Sequence, residues 1–248
     1  MGRAHEVRAA SMAKTAAAKS KLNNKWSRII YMAAKSGVPD PDLNQTLKKE
    51  IEKAKKEQVT ADVIKRAIDK AKGANMESYS ELQLEGFGPG NSMVVVECLS
   101  DNSNRTQTAV KVALQRTGGK IASSGNVTHS FTHNAVFSTS ELTEDQLLEA
   151  LLMADCDVTD SKVEDGVVTV YAPSTEYAKM RTAIFEAYPD VNLIEDTIAW
   201  VPMNWVQLES EKQLEQFKRL LELLAEEEDV QEVFHNVEGI DEEEEEEE

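Results

Sequence analysis

The hydrophobic period of this chain first changes near Ser80, and that change limits the fold to a helical segment followed by a body of alternating strands and helices. Before it, apolar residues return about every 3.6 positions, the repeat of an amphipathic helix. Trp26, Ile29, Ile30 and Ala33 make one stripe, closed by Gly37, Pro39 and Pro41. Leu43, Leu47, Ile51 and Ala54 make a second. Val63, Ile64, Ala67, Ile68 and Ala71 make a third, with Thr60 placed to cap its start and Gly73 to take the C′ position. Residues 1–75 are therefore expected to form a helical domain.

Beyond Ser80, Leu82 and Leu84 lead into Phe87-Gly88-Pro89-Gly90-Asn91, and the apolar run Met93 to Leu99 has strand length, which predicts a hairpin. A helix fits Arg105 to Thr117, capped by Asn104 and stopped by Gly118-Gly119, and a strand is expected at Asn126 to Phe131. Next come a strand at Ala135 to Ser138, a helix at Glu144 to Ala154 behind the capping box Thr143-x-x-Gln146, and a strand near Val158. A strand at Val167 to Tyr171, a helix after Ser174 and a strand at Ile194 to Val201 complete the order βαββαβ, the ferredoxin-like pattern. A strand near Trp205 to Leu208, a helix from Ser210-x-x-Gln213 to Ala225 and a strand at Val230 to Phe234 resume the unit begun at Met93. The expected fold class is α+β, a helical N-terminal domain plus two ferredoxin-like α/β domains, one inserted in the other. The outer domain would comprise residues 80–133 and 202–238, the inserted one 134–201. Residues 239–248, mostly glutamate, have nothing to bury and are expected to be a disordered acidic tail.

The formal charge of -18 argues against a polyanionic partner only until it is divided. Residues 1–75 carry 17 Lys and Arg against 8 Asp and Glu, and the rest of the chain 10 against 37. The first 35 residues hold Arg3, Arg8, Lys14, Lys19, Lys21, Lys25, Arg28 and Lys35, with Glu6 as their one acid. With a screening length of ~8 Å at physiological ionic strength, such a cluster acts locally. Several cations on one short segment displace counterions from a phosphate backbone, and Trp26 and Tyr31 offer stacking surfaces beside them, although the helical spacing of Trp26 with Ile29 and Ile30 favours the core for Trp26. The heads of these cations, opposite the Trp26 stripe, are expected to lie in water. Arg105, in the Asn-Arg-Thr helix start, either touches phosphate or solvates the helix, as does Lys111.

Enzymatic patterns are missing from the sequence. His129 and His133 are four apart but fall at a strand and its turn, without a Cys, Asp or Glu at a recognisable interval. The glycine pairs fit neither phosphate-binding loop, and no G-x-S-x-G elbow occurs. Cys98 and Cys156 lie in apolar runs and read as buried free thiols of a reducing compartment. No apolar stretch approaches the ~20 residues of a membrane helix. The Ala-, Ser- and Lys-rich start also has the composition of a transit peptide.

Several segments together resemble the YebC family, whose mitochondrial relatives are translational activators of cytochrome oxidase. They are Tyr31-Met32-Ala33-Ala34-Lys35-Ser36-Gly37 with Pro39-Asp40-Pro41, the run Ile64 to Gly73, and Glu85-Gly86-Phe87-Gly88-Pro89. Asn104-Arg105-Thr106, Gly118-Gly119, Gly125-Asn126-Val127 and Val230 to Val237 come after them in the same order. The resemblance covers roughly residues 2 to 238 and implies a three-domain protein, a family core starting near Gly2 and a cytoplasmic location. Members of the family act as DNA-binding transcriptional regulators or as ribosome-associated translation factors that relieve stalling, and this chain is more similar to the second group. It departs from the pattern at Ala4-His5, where relatives carry Lys-Trp, and in its glutamate tail.

The reading is a non-catalytic regulator of gene expression that binds the ribosome through rRNA with Arg3, Arg8, Lys14, Lys19, Lys21, Lys25, Arg28 and Arg105. A DNA-binding transcriptional regulator and an acidic protein-interaction scaffold are the alternatives. No cofactor, metal, membrane or small-molecule substrate is expected.

Overall fold

The computed structural model describes residues 3–73 and 79–240, with the side chains of the first helix described from Lys19 onward. The glutamate tail from Asp241, and the side chains of Arg3, His5, Arg8 and Lys14, lie outside the described residues. The chain is α+β, with an N-terminal helical region and two four-stranded sheets. It divides into two compact units: residues up to Gln83 with Glu97–Ala113 and Leu221–Glu232, and Leu84–Val96 with Leu114–Leu220 and the residues from Val233.

The first unit contains α1 (Arg3–Lys35), α2 (Gln45–Lys56) and α3 (Ala61–Lys72). The three predicted stripes meet in one core of Trp26, Ile30, Leu47, Ile51, Ile64 and Ile68, with small residues such as Ala33, Ala54 and Ala67 letting the helices approach. Leu43 is an exception, 72% exposed, because α2 starts after it. The cap is Asn44, whose Oδ1 accepts from Leu47 N at 3.0 Å while its Nδ2 donates to the carbonyls of Ala33 and Val38. One buried amide thus closes the turn between α1 and α2. A Cβ on Gly37 would lie 3.0 Å from that Nδ2, which explains the small residue there. Thr60 precedes α3 without a side-chain cap bond, and Gly73 keeps a φ of -74°, so the expected left-handed C′ glycine is not used.

The first sheet contains β1 (Ser80–Phe87), β2 (Met93–Ser100), β3 (Lys120–Ile121) and β8 (Val230–His235) in the order β3-β1-β2-β8. Its helices are α4 (Ser103–Arg116) and α7 (Glu211–Glu226). Three expectations change here. The helix predicted from Arg105 starts at Ser103, and Asn102 rather than Asn104 accepts the Arg105 N–H, at 3.1 Å. The strand predicted at Asn126 to Phe131 is a 3-10 turn over Thr128–Ser130. Its backbone donors are taken by a carboxylate instead of a ladder: buried Glu85 accepts from the N–H groups of Gly125 (2.8 Å), Val127 (2.6 Å) and Thr128 (3.1 Å) and from the Thr128 hydroxyl. Finally, the strand predicted near Trp205 is a single bridge, Val206 to Val237, and the ferredoxin position it would fill is held by β1.

In the second unit, β4 (Phe131–Thr139), α5 (Glu144–Met153), β5 (Asp160–Glu164), β6 (Val167–Pro173), α6 (Tyr177–Ala187) and β7 (Glu195–Pro202) succeed one another. The sheet order is β5-β6-β4-β7 with antiparallel neighbours throughout, so β6 splits β4 from β5 as the ferredoxin-like pattern requires. Both halves of the Thr143–Gln146 capping box form. Alternate residues Ala135 and Phe137 of β4 and Val168, Val170 and Ala172 of β6 meet Leu147, Leu151, Met180 and Ile184 of the two helices. The strand expected near Val158 begins two residues later, because the Val158 N–H is drawn into a turn by Cys156 O.

Candidate nucleic-acid interface

Of the cations named from sequence whose side chains are described, Lys19 is exposed and Lys21 half-buried. Lys25 and Arg28 do not have free heads. Lys25 Nζ lies 2.9 Å from Glu232 Oε1. Arg28 Nη1 donates to Asp229 Oδ1 at 2.6 Å and to the Glu228 carbonyl at 2.8 Å, and its guanidinium lies 5.5 Å from the centre of the Tyr79 ring. The expectation of a solvated Arg28 is corrected accordingly, since only 15% of its side chain is exposed and several acceptors have replaced water.

Asp229 collects the other predicted arginine as well. Arg105 Nη2 donates to Asp229 Oδ2 at 2.8 Å and to Asp101 Oδ1 at 2.7 Å, while the hydroxyls of Thr106 and Ser100 reach Oδ2 at 2.6 and 2.9 Å. Burial by itself raises the Asp229 carboxyl, but the bonds from Thr106, Arg105, Ser100 and Arg28 outweigh it and hold the group down at about 2. The same carboxylates, Asp229 first, keep Arg105 above its ordinary value. Arg105 remains about half exposed and so still presents one edge outward. Sequence reading thus paired two arginines as phosphate contacts that the fold brings together as counter-ions of one buried acid.

Neither aromatic residue near the cations is a base-stacking surface. Trp26 is 4% exposed and donates from Nε1 to Glu57 Oε2 at 2.8 Å, and buried Tyr31 meets Tyr79 edge-on while its hydroxyl accepts from Lys35 Nζ. Besides Lys19, cations that face outward are on α2 and α3: Lys48, Lys55, Lys65, Arg66 and Lys72 are all exposed, though Arg66 pairs with Asp62 and Lys72 approaches Asp69. Their signal was present in the sequence, because nine of the seventeen cations of the first 75 residues lie beyond Lys35. Lys53, Lys55 and Lys56 also complement the C-terminal end of the α2 dipole.

Burial pushes the Cys98 thiol up to about 12, helped by Asp229, Glu97 and Glu227, and raises Cys156 as well, so both stay protonated at neutral pH. Among the described residues no group of three or more His, Cys, Asp or Glu side chains is placed to hold a metal, and no helix is long and apolar enough to cross a membrane.

Residues 3–74 match the model of the TACO1/YebC protein N-terminal domain, and residues 79–237 that of the TACO1/YebC second and third domain. The chain belongs to the TACO1/YebC family. A probable transcriptional regulatory protein of Acholeplasma laidlawii is 53% identical over 239 residues, which is 96% of this chain and 98% of the relative. Another, of Alteromonas mediterranea, is 50% identical over 236 residues, covering 95% and 98%. The crystal structure of a conserved hypothetical protein from Aquifex aeolicus superimposes with a TM-score of 0.74 at 30% identity, over 88% of this chain and 90% of that one. The TACO1/YebC boundary between residues 74 and 79 coincides with the change of hydrophobic period near Ser80.

Proposed function

We propose that this TACO1/YebC protein is a non-catalytic regulator of gene expression that binds the phosphate backbone of ribosomal RNA through its helical region. The observation that carries this reading is the distribution of charge over residues 19–73, with fourteen Lys and Arg against seven Asp and Glu on a scaffold whose apolar residues are already used in its own core. Exposed Lys19 on α1, Lys48 and Lys55 on α2, and Lys65 on α3 supply the contacts, while Lys25 and Arg28 hold α1 in place. Phosphate contacts of this kind position a protein without reading bases, which suits a structured RNA recognised by shape. The proposed setting is the cytoplasm, with relief of stalled translation as the outcome.

A second reading, duplex DNA, is favoured by the names of the relatives, which are probable transcriptional regulatory proteins. Crosslinking in cells, with sequencing of the bound nucleic acid, separates the two. Enrichment of rRNA supports the ribosomal reading, and enrichment of promoter DNA with rRNA at background overturns it in favour of the second.

A further inference from the structure

A cavity of about 530 Å³ opens within the first unit, bounded by α1, the start of α2, and the strands β1, β2 and β8. Its apolar wall is made by Ile29, Met32, Leu82 and Leu99. Glu50, Glu81 and Glu97 are its charged residues, and among the described residues neither Lys nor Arg lines it. Glu50 comes from the basic residues 1–75, and Glu81 and Glu97 from the acidic remainder of the chain. Among the described residues Glu50 and Glu81 have no ion-pair or hydrogen-bond partner. Gln231 also lines the cavity, and its Oε1 is shut off from solvent without a hydrogen-bond partner among the described residues, a cost that a protein ordinarily avoids. The negative surroundings are felt by the neighbouring Cys98 thiol, which burial together with Asp229, Glu97 and Glu227 keeps protonated.

An apolar wall with separated carboxylates calls for a ligand that is aliphatic along its length and cationic at its ends. A point cation does not fit, because among the described residues no three carboxylates, thiols or imidazoles converge as metal ligands would. Separated negative charges suit separated positive ones. We infer that this cavity is a binding site for a linear aliphatic polyamine, its methylene chain against Ile29, Met32, Leu82 and Leu99 and its ammonium groups at Glu50, Glu81 and Glu97. The inference stands independently of which nucleic acid the helical region binds.

The test is calorimetric titration of the full chain with spermidine at physiological ionic strength, with magnesium chloride as a point-charge control. One saturable site is expected for spermidine and none for magnesium. Replacing both Glu50 and Glu97 with Gln should weaken spermidine by about tenfold, since each pair at a half-exposed site contributes modestly. Thr46→Trp changes no charge and puts a bulky ring on the cavity lining from the first turn of α2, so it should weaken binding at least as much. Glu149→Gln with Glu186→Gln removes the same charge from α5 and α6 and should leave the site intact. Absence of saturable binding, or equal weakening by the remote pair, or full affinity in Thr46→Trp, overturns the assignment.

Discussion

Arg28 on α1 and Asp229 in the turn before β8 are 201 residues apart in sequence and 2.6 Å apart in the fold. Replacing Asp229 with Asn keeps the volume but leaves Arg28 and Arg105 without their shared counter-charge. Removing one member of a buried, hydrogen-bonded charge set costs about 3 kcal/mol, because the remaining charge stays desolvated. Urea unfolding should register that loss for Asp229→Asn, whereas Lys19→Gln, at an exposed position, should stay within about 0.5 kcal/mol of the parent.

The same carboxylate predicts an acid limb. Its pKa falls from an ordinary 3.8 to about 2 on folding, so its contribution is complete above pH 3.8 and is lost as pH drops through 2. About 2 kcal/mol is involved. The stability difference between the parent and Asp229→Asn should therefore be flat from neutral pH to about 4 and should narrow below it. A difference that narrows instead between pH 6 and 8 would assign the effect to another group.

Glu85 makes a local prediction. Its pKa is lowered, since the bonds from Gly125, Val127 and Thr128 outweigh the opposing effect of burial. Glu85→Ala strips the acceptor from three backbone N–H groups, at a cost of about 2 kcal/mol for donors left unpaired. Hydrogen exchange at Gly125, Val127 and Thr128 should accelerate markedly, with the amides of β4 to β7 protected as before.

Salt dependence tests the proposed RNA contacts. With about four phosphates engaged, the log-log slope of affinity against salt should be about -3 to -4, at ~0.7 per contact on single strands and ~0.9 on a duplex. Replacing Lys19, Lys48, Lys55 and Lys65 with Gln should remove most of that slope, while far-ultraviolet circular dichroism stays unchanged. A steep slope retained by this variant would move the contact surface away from the exposed cations of α1 to α3.

Local patterns were the legible part of the sequence. The β4 to β7 order was readable from alternating Ala135, Phe137 and Val168, Val170, and the start of α5 from Thr143-x-x-Gln146, because in each the partner is near or the period is unambiguous. The errors arose where a distant group decides. Nothing within ten residues of Val127 announces that Glu85 will take its N–H, and nothing near Arg28 announces Asp229. Asn104 lost the capping role to Asn102 by two positions, a difference of the size by which helix ends commonly shift. Family membership was readable from the ordered motifs, whereas the inward turn of Arg28 was not, since solvated and paired arginines look alike in one sequence.

Phe131 and Pro202, the first residue of β4 and the last of β7, face each other as partners in the sheet register. The chain therefore leaves and re-enters this sheet at nearly one point. Once β4 and β7 pair, the excursion of about 70 residues between them is topologically equivalent to a tight turn, and its length no longer adds to the entropy of joining the two flanking segments. Ser100 and Asp229, 129 positions apart along the sequence, are left with an effective separation of about 60 in the half-folded chain. The speed at which Val230–His235 finds its place is then expected to depend on how fast the inner sheet closes as well as on the separation that remains.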